Sequence, residues 1–432
     1  MRILVSEIPN NIGKTVTVAG WIHKIRKLGG ISFVVIRDRS GLAQIVVEKE
    51  AHEMLAELST ESVVSLTGKV KKEERAPLGA EILAEKVEII SPVKEDIPVE
   101  INKKELRANL DTLLDNRPLT LRNPEQRAIF KVQAEIIRAF RDFLTKEGFT
   151  EIHSSKIVES GLETGGAEMF EVKWFKDKAF LSQSPQMYKQ IMVGVYERVF
   201  ETAFAYRAEK HSTGRHLNEY LSLDLEMGFI DSHEDVMSLE ERMLGHIVNH
   251  LLETCAKEFE LLDAKLPKTP KEFPRLKLAE AQKVLEQEYK EKCVGEPDLD
   301  PKQEKLICEY AEEKWGSEFI FITHYPSKKR PFYTYDDPAE PKSTRSFDLM
   351  FRGIEITTGG QRLHLYEDYL KKMKDRNMNP DNFSDYLSIF KYGMPPHGGL
   401  AIGAERLTAK LLNLENVREA SLFPRDINRL RP

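Results

Sequence analysis

The sequence predicts an α+β protein in which a small β-barrel precedes a larger domain of antiparallel strands and helices. Three observations carry this. Residues 1–92 read as five period-two runs, with one helical segment between the third and the fourth. From Pro124 a long stretch repeats its apolar residues at helical spacing instead. Farther on, RVFETAFAYRAE and NEYLSLDLEMGFI flank a loop at 209–217, as antiparallel neighbours do. No G-x-x-x-x-G-K-[ST] loop and no G-x-G-x-x-G opening a helix occurs, which argues against the parallel-sheet nucleotide folds.

In chain order, TVTVAGWIHKI alternates, ISFVVIRD follows the Gly29-Gly30 turn, and LAQIVVE follows Ser40-Gly41. The helical EAHEMLAEL comes next, then SVVSLTGKV and AEILAEKVEII. This is the order of an OB barrel, a fold that often stacks single-stranded bases on aromatics over a basic groove. Phe33 and Gln44 fall on adjacent strands, where a stacking platform and a base-edge reader belong; Phe33 equally fits a core aromatic. The Pro-punctuated, charged stretch that follows reads as a hinge, giving a barrel at 1–93, a hinge at 94–124 and the large domain at 125–432. There Ile129, Val132, Ile136, Ile137, Phe140 and Phe143 share one face of a helix running to about Lys146. Gly148 ends it, FTEIHSSKIV reads as a strand, and the Lys- and Glu-rich 260–318 as a helical insertion.

With 432 residues, 41% hydrophobic and 31% charged, the chain has the composition of a globular protein of two or three domains. No apolar run approaches the roughly 20 residues of a membrane span, and MRILVSEIPNN lacks signal-peptide architecture. Cys255, Cys293 and Cys308 are odd in number and lack metal-ligand spacing, as expected of reduced thiols in a cytoplasmic protein with no membrane partner. The net charge of −6 excludes a general polyanion binder. Residues 1–94, however, hold 14 Lys and Arg against 12 Asp and Glu, with clusters at Lys24, Arg26, Lys27, Arg37 and Arg39 and at Lys69, Lys71, Lys72 and Arg75. This fits a local nucleic-acid face; a solvated strand edge guarded by lysines fits as well.

Two arginines carry the chemistry. Tyr206-Arg207-Ala208-Glu209, with Arg215, His216 and Leu217 after it, and Gly403-Ala404-Glu405-Arg406 each set an arginine beside a carboxylate at an element's end. A guanidinium fork suits phosphate because its planar donors bond two oxygens at once. Either one alone is compatible with a surface ion pair. Together they suggest one nucleotide gripped at both ends. They are accompanied by SQSPQ at 182–186, running into Tyr188-Lys189, and by a Gly-rich lid at 161–168 ending on Glu168. Asp348 and Glu355 lie seven apart, which in extended chain puts them on opposite faces unless the Arg352-Gly353 turn and a bulge intervene. Magnesium needs few carboxylates beside substrate phosphates, so Glu355 with ATP would suffice.

On these motifs the chain resembles the class II aminoacyl-tRNA synthetases, and within them the aspartyl enzymes of archaeal type. The likeness runs from the barrel to the terminal LFPRDINRLRP. The resemblance implies an anticodon-binding barrel, an antiparallel catalytic sheet flanked by helices, a homodimer, and two-step ATP-dependent aspartylation of tRNA. It implies that Arg207 grips the α-phosphate and the aspartate carboxylate, Glu209 reads adenine, and Arg215 and His216 meet the outer phosphates. Arg406 would stack on adenine and reach the γ-phosphate, with Ala208, Leu217, Gly403, Ala404 and Glu405 completing the nucleotide site. Glu355 and Thr358, assisted by Asp348, would hold magnesium. Glu168, Gln186 and Asp224 would take aspartate's amino end, Lys189 and Arg362 its side-chain carboxylate, and Thr358 would border it.

Asparaginyl enzymes share the fold and the arginines, but Lys189 and Pro185 in SPQMYKQ match the aspartyl pattern. A non-catalytic RNA-binding relative would be expected to lose one of Arg207, Glu355 or Arg406, and all three are present. An asparagine synthetase of this scaffold would lack the barrel. Two departures stand out: Ser155 where the family's first motif, at the dimer interface, has proline, and a lid one residue longer. In the barrel, His23 and Pro77 occupy positions where strict tRNA-Asp enzymes tend to carry Trp and Lys. That pair resembles non-discriminating members, which also charge tRNA-Asn and depend on a tRNA-dependent amidotransferase; a strictly discriminating enzyme is the alternative.

Overall fold

The computed structural model describes residues 2–48, 50–56, 58–103, 106–159, 168–210 and 213–431. The chain divides into two compact units, Met1–Ala108 and Asn109–Pro432. In the first, β1 (Thr15–Leu28), β2 (Ile31–Asp38), β3 (Gly41–Glu48), β4 (Val63–Lys72) and β5 (Ala80–Ser91) close a barrel in the order β1-β2-β3-β5-β4. Helix α1 (Glu50–Ala56) sits between β3 and β4 in sequence. Alternation decides the inside: Val34, Ile36, Ile45, Val47, Val64 and Leu66 are fully buried, and Val5 and Ile8 of the 3-10 turn Val5–Asn11 join them. The partners of that set, Phe33 and Gln44 among them, face outward.

The second unit is built on an eight-stranded sheet. Its order is Arg275–Lys277, Phe319–Thr323, Ser346–Phe351, Ile354–Arg362, His397–Gly403, Glu219–Gly228, Arg198–Tyr206 and Thr150–Glu151. The central pairings are antiparallel, and the outermost pair at each edge is parallel. The helix Pro124–Lys146 begins where expected because Asn123 caps it, its side chain accepting from Glu125 N and Gln126 N, with Pro124 at the first position. Ile129, Val132, Ile136, Phe140 and Phe143 bury its apolar face in a core shared with Leu223, Leu225, Leu400 and Ile402 of the sheet.

Three local expectations change. FTEIHSSKIV is not one strand: Thr150–Glu151 joins the large sheet, and Ile157–Val158 joins a separate three-stranded sheet. Between them Glu201 captures Ser154 through its N–H and its hydroxyl, and also Lys156, which breaks the strand. The 260–318 segment holds helices Leu278–Tyr289 and Pro301–Trp315 but also the edge strand Arg275–Lys277, so it belongs partly to the sheet. Residues 109–123, read as the far part of a hinge, fold with the second unit. Buried Arg117 donates there to the carbonyls of Glu419, Ser421 and Leu422.

Behind the sheet, Glu240 of the helix His233–Thr254 accepts from the Thr357 hydroxyl at 2.6 Å. Burial pushes its carboxyl up to about 8; the Thr357 bond opposes this, and Glu241 and Asp348 add to it. The folded state therefore holds a proton that the unfolded chain releases near the ordinary 4.5, and stability falls as pH rises across that window. Glu240→Gln should remove this slope. Measured from pH 5 to pH 8, the wild-type melting temperature should drop relative to that of the variant, not run parallel to it.

Candidate active site

The cavity expected of a nucleotide site is formed by the sheet and the loop after Tyr206. About 140 Å³ in volume, it is lined by Arg207, Glu209, Arg215, His216, Leu217, Glu355, Thr358, Gly403, Glu405 and Arg406 among others. The strands Arg198–Tyr206 and Glu219–Gly228 pair in register from Arg198↔Met227 to Tyr206↔Glu219, so the loop between them leaves one sheet end with Arg207 at its base. The Arg207 guanidinium lies 5.6 Å over the Tyr220 ring, and no carboxylate among the described residues forms an ion pair with it. Its charge is available to a bound anion. Ala208 N donates to Glu168 O at 2.9 Å, and the Glu168 side chain, exposed, pairs with Lys210. The lid at 161–167 lies outside the described residues.

The opposite wall comes from the C-terminal helix Ala404–Leu411, whose first turn presents Arg406. Arg406 donates to Glu355 O at 3.0 Å and stands 3.8 Å from the Glu355 carboxylate. Glu405 is a structural tie as well as a lining residue: both its oxygens accept from Leu221 N, fixing the helix to the neighbouring strand. Burial pushes its carboxyl up to about 7. Arg215 is already paired, with Glu304 at 2.9 Å, and Glu304 also accepts from Glu355 N at 3.0 Å. Glu304 was not foreseen. It sits in the Pro301–Trp315 helix, whose start is marked by the Asp300 cap and Pro301 but gives no hint of where its faces point.

The hairpin holding Asp348 and Glu355 resolves their spacing. Arg352 and Gly353 turn it with φ of 47° and 82°, and the register slips between Leu349 and Met350, so that Asp348 faces Thr358 while Met350 faces Glu355. The Thr358 hydroxyl donates to Glu355 at 2.7 Å. Burial disfavours ionising Glu355, yet Arg406, Thr358 and Arg330 outweigh it and hold the carboxyl below its usual range. Asp348 pairs with Arg330 at 2.7 Å, and burial pushes its carboxyl up against that attraction. The other Asp348 oxygen is buried without a hydrogen-bond partner. Two carboxylates, one with an unsatisfied oxygen, and a hydroxyl form a donor set fit for one hard cation assisted by phosphate.

Next to the cavity, Ser222, Asp224 and Glu226 point to one side of their strand, as period two requires. Ser222 lines the cavity and its hydroxyl donates to Asp224. Asp224 accepts from Lys189 at 2.9 Å, and Lys189 also donates to Leu400 O at 2.9 Å. Arg362 donates to Glu226 at 2.9 Å, to Gly399 O at 2.9 Å and to Gln186 at 3.2 Å; Gln186 in turn donates to Glu226. Gly399 has to be a glycine, because a Cβ there would overlap the Glu226 carboxylate and the Leu225 carbonyl. Burial opposes charge on Glu226, but Arg362 and Lys189 prevail and hold it below the usual carboxylate range.

Lys189, Arg362, Gln186 and Asp224 thus come together as expected, but around Glu226, a residue that sequence reasoning missed. The alternation S-L-D-L-E was the signal that could have found it. Lys189 is 1% exposed and its ammonium already meets two carboxylates, so a neutral ligand would not leave its charge unpaired. In the barrel, Phe33 lies under the Arg26 guanidinium at 5.1 Å, and Gln44 donates to Glu81 at 2.9 Å. His23 occupies the β1 bulge, its Nδ1 buried without a partner, and burial followed by Arg37 lowers its pKa. Pro77 is exposed between β4 and β5.

Removing one partner of a buried ion cluster strands the others. Glu226→Gln should therefore lower the unfolding free energy by about 3–5 kcal/mol in a urea titration, whereas Glu168→Gln, at an exposed pair, should change it by under about 1 kcal/mol.

Comparisons with known proteins give the family. Residues 109–427 match the model of "tRNA synthetases class II (D, K and N)", and residues 16–90 that of an "OB-fold nucleic acid binding domain". The chain is 51% identical to the aspartate–tRNA(Asp/Asn) ligase of Thermus thermophilus across the full length of both, and 45% identical to the aspartate–tRNA(Asp) ligase of Pyrococcus furiosus over 97% of each. It superposes with a TM-score of 0.93, at 34% identity and complete coverage of both chains, on the asparaginyl-tRNA synthetase of Pyrococcus horikoshii complexed with asparaginyl-adenylate. The first model covers most of the chain and the second the barrel that precedes it in sequence, and the chain belongs to the class II aminoacyl-tRNA synthetases of the D, K and N group.

Proposed function

We propose that the enzyme activates L-aspartate with ATP and transfers it to both tRNA-Asp and tRNA-Asn. The observation that carries this reading is the unpaired Arg207 guanidinium facing Arg406 and Glu355 across one cavity, with the Lys189, Arg362 and Glu226 cluster two hydrogen bonds away through Ser222 and Asp224. Choice of aspartate over asparagine rests on the relatives named as aspartate ligases at 40–51% identity, since the fold is common to both groups.

In the first step the aspartate α-carboxylate attacks the α-phosphorus and pyrophosphate leaves, so no enzyme nucleophile is required. Arg207 brings two anions together and offsets the charge that develops as they react. Glu209 meets the adenine edge. Arg406 covers the base and reaches the far phosphate with His216 and Arg215, the last only after sharing its guanidinium with Glu304. Gln186, Asp224 and Glu168 hold the amino end, and Arg362 and Lys189 the side-chain carboxylate. Glu355, Thr358 and Asp348 would hold Mg2+, which supplies charge neutralisation on the phosphates. In the second step a hydroxyl of the terminal tRNA ribose takes the aspartyl group and AMP leaves.

The reading includes a cytoplasmic homodimer. Ser155 is exposed in the loop that Glu201 clamps, and Val195, Tyr196 and Phe204 expose apolar surface on the same unit. His23 and Pro77 offer no ammonium to the last anticodon base, and Pro77 no N–H. Charging of tRNA-Asn would need an amidotransferase acting on the product.

Arg207→Ala should reduce aspartate-dependent pyrophosphate exchange by more than about 10³-fold; exchange near the wild-type rate would refute the assignment. Matched transcripts with anticodons GUC and GUU should be aspartylated with comparable kcat/KM. Charging of GUC alone would make the enzyme strictly discriminating.

A further inference from the structure

Asn218 closes the loop that carries Arg207 and Glu209, using its side-chain NH2 and both of its backbone polar groups. Its side-chain amide donates to Arg207 O at 2.7 Å and to Glu209 O at 3.2 Å. Its carbonyl accepts from Arg207 N at 2.9 Å. Its own N–H donates to Arg425 O at 2.8 Å, in the C-terminal segment that bridges Glu219. Asn218 is 7% exposed and touches the cavity only through these neighbours, being absent from its lining. Glu209 N also donates back to Arg207 O at 2.8 Å, so Arg207-Ala208-Glu209 forms a tight turn whose two outer carbonyls face one amide. A second tie from the same C-terminal region, Val417 N to Gly214 O at 2.9 Å, holds the far side of the loop.

We propose that Asn218 is a positioning residue for ATP: its amide fixes the distance between the Arg207 fork and the Glu209 carboxylate, and its N–H docks that turn on the C-terminal segment. Apart from Asn218, Arg207 O is held by Glu209 N of the same turn, a bond that does not tie the turn to the rest of the fold. An arginine gripping the α-phosphate and a glutamate reading adenine serve one nucleotide only at a set separation, and a misplacement near 1 Å costs on the order of a hundredfold in rate. The aspartate-facing cluster around Glu226 makes no bond to Asn218, so the two substrates should respond differently.

The inference rests on the proposed ATP-dependent activation, and the experiment separates the two. Aspartate-dependent pyrophosphate exchange is measured for the wild type, for Asn218→Ala and for the isosteric Asn218→Asp, whose carboxylate turns lone pairs toward the two carbonyls. If the wild type shows no exchange, the proposed function falls. If it does, both variants should lose on the order of a hundredfold in kcat/KM for ATP while KM for aspartate stays within about twofold, at a temperature where circular dichroism shows them folded. Should Asn218→Ala not fold, the Asp variant decides. Equal losses for both substrates would show mere loosening of the sheet, and no loss would show an idle contact; either overturns the proposal.

Discussion

The site depends on keeping two buried cations and two buried carboxylates, from two strands and one helix, in register. Lys189, Arg362, Asp224 and Glu226 neutralise one another in a place where any one alone would be expelled or discharged. Satisfying them dictates much of the surrounding sequence. The strand Glu219–Gly228 must alternate polar and apolar residues, His397–Gly403 must carry glycine where Glu226 approaches, and the helix Gln186–Tyr196 must deliver Lys189 onto the sheet face. The cluster is net neutral, so it can stay buried and ordered before a substrate arrives. A pre-formed site of this kind serves a reaction whose catalysis is mainly positioning.

The cavity walled by Arg207 and Arg406 follows a different logic. Its arginines are held by backbone carbonyls and aromatic faces more than by full ion pairs: Arg406 on the carbonyls of Glu355 and Arg215, Arg207 over Tyr220. Carbonyls orient a guanidinium without cancelling its charge, which leaves that charge for phosphate. Arg215 is the exception, since Glu304 shares it. Glu355 sits between the two regimes. Its backbone oxygen orients Arg406, and its carboxylate, kept ionised by Arg406, Thr358 and Arg330, stays available to a cation.

Much of this was legible in the sequence because period and punctuation are local. The barrel order, the helix from Pro124 and the hairpin around 209–217 each follow from spacing, caps and turns within a few residues. Arg207, Glu355 and Arg406 stood out through their company of glycine and carboxylate. What stayed hidden needed distant partners. The strand break after Glu151 comes from Glu201, fifty residues on; the edge strand Arg275–Lys277 exists only because Phe319–Thr323 lies beside it. Glu304 and Glu226 are ordinary acidic residues until the fold sets an arginine against them. The bulge that the odd spacing of Asp348 and Glu355 called for is the register slip between Leu349 and Met350, but its place and the pairing of Asp348 with Thr358 came only with the fold.

The most direct test of the account compares pyrophosphate exchange driven by L-aspartate with that driven by L-asparagine, on the full-length enzyme with saturating ATP and Mg2+. A kcat/KM for aspartate higher by at least about 10³-fold would agree with the aspartate assignment. Equal rates, or a preference for asparagine, would contradict it.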